Sequence, residues 1–185
     1  MCGRYYFDPQ IDLTDLKRKL STHYTQDQLC ELKTGEVFPG DIVLTITEFG
    51  PALMNWGYNL FTKKIINTRI ESIKELNYYD QDYRHNKCLI AVSGFYEWSN
   101  DKQCYYMTLK NTPFYLAGIY QNNQPFNHFS IITTRAEQTY NIHQRIPLVF
   151  SRMEAAAYLN NQYTIEQLSQ IKPELIVKKI PKTSL

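Results

Sequence analysis

Apolar residues along this chain fall in short runs rich in β-branched and aromatic types, each closed by a polar turn. After a brief first strand in "RYYF", the stretches "DIVLTITEF" and "PALMNW" flank Gly50-Pro51 and predict two strands joined by a turn there. "KKIIN" predicts another short strand, and "CLIAVSGFYEW", "CYYMTLK", "PFYLAGIY" and "HFSIITT" predict a dense set of further ones. Helical signals are fewer. Asp12 stands where it can cap a helix with Leu13, Leu16 and Leu20 on one face. Ser151 with Glu154, and Thr164 with Gln167, have capping-box spacing, so two short helices follow the strands. "ELIVKKI" returns as a last strand. Many strands and few helices, with no βαβ rhythm, argue for an α+β or barrel-like fold. No repeat or linker divides the chain, so residues 1–185 are expected to form a single domain.

Composition narrows the classes. The hydrophobic fraction of 43% and charged fraction of 21% describe a globular chain. A net charge of +2 restricts any nucleic-acid contact to a local basic patch. There is no run long enough for a membrane span and no basic segment leading into an apolar one, so neither membrane insertion nor export is expected. The four cysteines show no CxxC pair, and Cys30, Cys88 and Cys104 read as reduced packing thiols. His23, His85, His128 and His143 have no ligand spacing, and no phosphate-binding glycine loop is present. Neither a metal nor an organic cofactor is expected.

Cys2 stands apart by position. Initiator methionine is commonly removed before a small residue, which would leave a cysteine bearing a free α-amine and a thiol on neighbouring carbons. An α-amine has a pKa near 8, so an appreciable fraction is unprotonated at neutral pH. It can attack an aldehyde to form a Schiff base, and the thiol can close intramolecularly to a five-membered thiazolidine. Alternatively the thiolate attacks an acyl group, or Cys2 simply starts a strand. Four later stretches carry chemistry-bearing residues. "INTRIES" places Asn67 and Arg69 on one side of a strand end. "SGFYEW" sets Glu97 among aromatics that would raise its pKa toward an acid-base role. "NIHQRIP" pairs His143, a proton-transfer type, with Arg145, which suits phosphate bidentately. "GEVFPGD" sets Pro39 in an apolar turn. Taken singly, each has a plain structural reading: Glu97 exposed on a strand, His143 capping a loop, Arg69 and Arg145 in surface ion pairs.

Together, C-G-R-Y, G-E-x-F-P, M-x-W-G (Met54 to Gly57), I-N-x-R-x-E (Ile66 to Glu71), S-G-F-Y-E-W and I-H-x-R-x-P (Ile142 to Pro147) resemble the SOS-response-associated peptidase family. The resemblance runs from residue 2 to about residue 150 in the family's order. It implies a strongly bent, mainly antiparallel sheet with a few flanking helices, and a protein that recognises abasic sites in single-stranded DNA and at single-strand/duplex junctions. Such a protein cross-links covalently to the open-chain aldehyde of the lesion. By motif, Cys2 is then the nucleophile, and Asn67 positions its amine and the sugar. Glu97 is the acid-base residue, also implicated in releasing Met1, and His143 assists ring opening and reversal. Arg4, Arg69 and Arg145 would contact phosphates, with Pro39, Trp56 and Thr134 along the DNA path. The resemblance further implies a monomer acting in the cytoplasm on the nucleoid, with a lyase activity on the lesion. Ala91 and Val92 replace the family's Pro-Ala pair, Ile70 its small residue, Ile146 its methionine and Glu137 an asparagine. Glu137 adds negative charge near the expected DNA path. Two other readings compete: an amino-terminal-nucleophile hydrolase using Cys2, His143 and Glu97 on peptides, and a non-covalent single-strand-binding module.

Overall fold

The computed structural model describes residues 2–136 and 142–181, so Met1 and Glu137 lie outside the described residues. Strand β1 (Arg4–Phe7) alternates, burying Tyr5 and Phe7 while Arg4 and Tyr6 stay half-buried. Helix α1 (Thr14–Leu20) follows. Asp12 Oδ1 accepts the Thr14 N–H at 2.9 Å, so the aspartate braces the helix start from two residues ahead. Helix α2 (Gln26–Cys30), which the apolar pattern does not announce, opens on a capping box between Thr25 and Gln28. Then come β2 (Gly35–Val37), β3 (Ile42–Thr47) and β4 (Gly50–Trp56). Thr47 pairs with Gly50, so the turn falls at residues 48–49 and Gly50-Pro51 already belong to the strand.

The apolar run at 63–67 splits: hairpin β5 (Tyr58–Leu60) and β6 (Lys63–Ile65) precedes a separate β7 (Asn67–Arg69). Helices α3 (Ile70–Glu75) and α4 (Asn77–His85) follow. The run at 88–98 also splits, into β8 (Lys87–Val92) and β9 (Gly94–Trp98). Ser93 makes the break. Its N–H donates to Tyr6 O at 2.7 Å, its hydroxyl accepts from Asp8 N at 3.0 Å, and its carbonyl accepts from Thr108 Oγ1 at 2.8 Å. Gly94 then lies under Tyr106, whose ring would stand 2.2 Å from any added Cβ. The chain continues through β10 (Cys104–Thr108), β11 (Phe114–Gln121), β12 (Asn127–Arg135), β13 (Arg145–Pro147) and β14 (Val149–Phe150). Helices α5 (Arg152–Leu159) and α6 (Ile165–Ser169) both open on the expected capping boxes, and β15 (Ile176–Lys179) is the last strand.

Strand pairing closes a barrel. β12 pairs with β4, β4 with β3, β3 with β8, β8 with β11, and β11 with β12 again, a ring of five strands. Only the β12–β4 contact in this ring is parallel. Closure removes the free edges of the sheet. A second sheet, in the order β15-β10-β9-β1-β2, lies beside the barrel. One apolar cluster spans the barrel interior and the second sheet, around Trp56, Phe95 and Phe129. A second gathers Ile70, Ile73, Phe150 and Tyr158 where helices cover the barrel wall. The architecture is α+β with a barrel-like, mainly antiparallel core, as the sequence implied. Among the described residues no helix is long and apolar enough to cross a membrane.

Candidate active site

Inward-facing Tyr5 and Phe7 anchor β1 in the core, and this draws the residues before it inside. Cys2 is 0% exposed. Its Sγ lies 3.7 Å from Arg4 O, a weak thiol contact. Burial, followed by the negative charge of Glu97, pushes the thiol well above its ordinary pKa. At neutral pH the sulfur therefore keeps its proton. The Cys2 carbonyl accepts the Asn67 Nδ2–H at 2.7 Å. Asn67 itself is set by β7, which runs parallel to β12 with Asn67 opposite Ile131. The other amide atom, Asn67 Oδ1, is buried and has no hydrogen-bond partner among the described residues. An unsatisfied buried acceptor costs about 1–3 kcal/mol, so its place beside Cys2 marks a position where a donor is expected.

Glu97 comes from the second sheet. Arg4 pairs with Tyr96, so the next residue of β9 arrives at the Cys2 end of β1. Glu97 is 1% exposed, and burial raises its pKa while the charge of His143 works against that rise. His143 precedes β13, and its Nδ1 lies 3.0 Å from both the N and the O of Arg145. The cysteine, amide, carboxyl and imidazole expected from the sequence are thus brought together from four separated segments.

The arginines and apolar residues expected along a DNA path sort differently. Arg69 is exposed at the N-cap position of α3, where its side chain makes no capping bond, and it has no ion pair among the described residues. Arg4 lies within 4.9, 5.4 and 5.1 Å of the ring centres of Phe38, Tyr96 and Trp98, and its Nη1 is 3.4 Å from Glu36 Oε1. The Arg145 fork is taken up by Glu71, at 3.2 and 2.8 Å, and by Thr133. Pro39 is exposed in the loop before β3. Trp56 and Thr134 do not line a surface: they are 0% and 3% exposed. Trp56 stacks on Phe129 and tilts against Tyr5, and its Nε1–H donates to Ile66 O at 3.0 Å. It therefore fixes the residue just before Asn67 from below. Thr134 faces inward where β12 pairs with Ile146.

Two residues escaped the sequence reading. Phe61, at the tip between β5 and β6, is 94% exposed beside Lys63 and Lys64. A lone aromatic in the polar stretch "LFTKK" was its only signal. Thr133, which binds Arg145 through both its hydroxyl and its carbonyl, left none.

The barrel thus presents a buried cysteine to an amide, a carboxyl and an imidazole. The model of the SOS response associated peptidase (SRAP) family matches residues 1–183, and the chain belongs to that family. It is 26% identical over 192 residues to the abasic site processing protein YoqW of Bacillus subtilis strain 168, covering 89% of this chain and 82% of the relative. YoaM of the same organism, also named an abasic site processing protein, is 26% identical over 190 residues, covering 89% of this chain and 81% of YoaM. Among solved structures, a Bacteroides thetaiotaomicron protein superposes with a TM-score of 0.75 at 19% identity, covering 98% of this chain and 93% of that one. A phage-related protein of Bordetella bronchiseptica gives 0.71 at 19% identity, over 98% and 95%. These two likenesses concern the fold.

Proposed function

We propose that this protein recognises abasic sites in single-stranded DNA and joins them covalently through Cys2 once Met1 has been removed. The observation that carries this reading is the Asn67 amide, which holds Cys2 O through Nδ2 while its buried Oδ1 awaits a donor. A free α-amine on Cys2, or a hydroxyl of the opened sugar, supplies that donor. The relatives named for abasic site processing support the choice of lesion.

The state of the thiol sets the order of steps. A sulfur whose pKa is raised by burial is a poor first nucleophile, which argues against a thiolate peptidase. The α-amine attacks the aldehyde carbon first, and one water leaves as the C=N bond forms. The thiol then adds across that bond: sulfur bonds to carbon, the S–H proton passes to nitrogen, and the thiazolidine closes with no further loss. Glu97, whose pKa burial raises, donates to the departing oxygen and takes protons back. His143 opens the sugar ring and assists reversal, and Glu97 also serves in release of Met1.

Arg69 is the exposed candidate for phosphate, while Arg4 and Arg145, paired with Glu36 and Glu71, are the secondary ones. Pro39 and Phe61 offer apolar surface to bases at a single-strand/duplex junction. The protein would act as a monomer in the cytoplasm, on nucleoid DNA. The test is intact mass after incubation with an abasic oligonucleotide. An adduct equal to the two masses less one water supports the reading; peptide cleavage with no adduct would replace it with the hydrolase.

A further inference from the structure

Glu71 takes both terminal nitrogens of Arg145, Nη1 to Oε1 at 3.2 Å and Nη2 to Oε2 at 2.8 Å. Arg145 Nε also donates to Thr133 Oγ1 at 3.2 Å, and Nη2 to Thr133 O at 2.6 Å. A guanidinium has five N–H donors. These four bonds leave one, too few for a bidentate grip on a phosphate while Glu71 stays in place.

The same residue serves His143 through its main chain. Arg145 N and O both lie 3.0 Å from His143 Nδ1. A bare Nδ1 accepts from the Arg145 N–H. A protonated Nδ1 donates to Arg145 O. In either state Nδ1 has a main-chain partner, so the ring keeps one direction while its proton changes, which suits a transfer group. Glu71 also stands four residues after Asn67, at the start of α3, so one carboxylate ties the Asn67 segment to the strand that follows His143. Arg135 adds only a peripheral contact at 3.9 Å from a largely exposed side chain.

We propose that Glu71 is a positioning residue: by clamping the Arg145 side chain it fixes the Arg145 main chain, and with it the direction of the His143 ring. The catalytic consequence rests on the abasic-site reading above; the effect on the ring does not.

The experiment uses nitrogen-15-labelled, DNA-free protein and follows the His143 ring nitrogens in wild type, Glu71→Ala and Glu71→Gln. Wild type should show a single ring environment. Glu71→Ala should populate more than one, and Glu71→Gln, which keeps one acceptor oxygen, should shift less in the same direction; it also serves if the alanine variant does not fold. Cross-linking at saturating abasic oligonucleotide should slow by roughly 10–100-fold in Glu71→Ala, the scale of a misplaced catalytic group. Affinity for an uncleavable analogue should change much less. An unchanged His143 signature in both variants overturns the proposal. So does tighter DNA binding with an unchanged rate, which would make Glu71 a mere stand-in for phosphate on Arg145. If wild type forms no adduct, the abasic-site reading fails, while the nitrogen signature still decides the role of Glu71.

Discussion

Asn67 Nδ2 donates to Cys2 O at 2.7 Å, and this bond spans 65 residues of chain to fix the amino-terminal segment against the barrel. It holds the carbonyl side of Cys2, and on the proposed reading the amine and sulfur are the groups that react. Asn67→Ala should slow adduct formation by roughly 10–100-fold through lost orientation and lower stability by about 1 kcal/mol for the lost bond. Single-turnover rates and a denaturant midpoint measure the two effects. A stability loss without any rate loss would make Asn67 purely structural.

Glu97→Gln should separate function from stability. Adduct formation should fall by roughly 10²–10⁴-fold, the usual scale of acid-base catalysis. Burial raises the folded-state pKa of Glu97. A raised carboxyl pKa means the folded state resists ionisation, so this group costs stability as pH rises through the unfolded value near 4.3 toward the folded one. Glutamine removes that cost, and its melting temperature at neutral pH should exceed that of wild type. A lower melting temperature would mean that the ionised carboxylate contributes a net bond to the fold.

Glu71 should behave in the opposite sense. Partial burial pushes its pKa up, but the hydrogen bonds and charge of Arg145 outweigh this and hold it below the ordinary range. Its contribution is present above the unfolded pKa of about 4.3 and is lost as pH falls through the folded value. Stability measured downward from about pH 5 should therefore drop more steeply in wild type than in Arg145→Ala. Equal slopes would show that the pair adds nothing in solution.

Salt titration should divide the arginines. Arg69→Ala should lower the salt slope of single-strand binding by about 0.7, the release expected for one phosphate contact. Arg4→Ala removes charge that is also engaged with three rings and Glu36, so it should cost stability as well as affinity. Arg145→Ala should change the slope less than Arg69→Ala, because Glu71 already occupies its fork. An unchanged slope for Arg69→Ala would take this residue out of the DNA path.

The strands were legible because their runs are short, β-branched and closed by turns. The capping boxes at Ser151 and Thr164 were legible because both partners sit within one turn. Where one apolar run serves two sheets, sequence alone is mute: nothing in "AVSGF" says that Ser93 carries the chain from the barrel to the second sheet. Helices α3 and α4 were missed although Ile70, Ile73, Leu76, Tyr79 and Tyr83 recur at helical spacing; the polar residues between them hid one face that the structure buries in large part. The chemistry-bearing residues were legible as motifs, but their neighbours were not. That Trp56 is core, that Thr134 faces inward, and that Arg145 is clamped by Glu71 all depend on contacts distant in sequence.

The central claim is that the Cys2 aminothiol is the reacting group, and one comparison tests it most directly. Protein with Met1 removed and protein carrying a fixed amino-terminal extension are each incubated with the same abasic single strand, heated, and weighed intact. The processed protein should gain the oligonucleotide less one water, while the extended protein, whose Cys2 nitrogen is an amide, should gain nothing. A heat-stable adduct of equal yield on the extended protein, or one that persists in Cys2→Ala, would contradict the account.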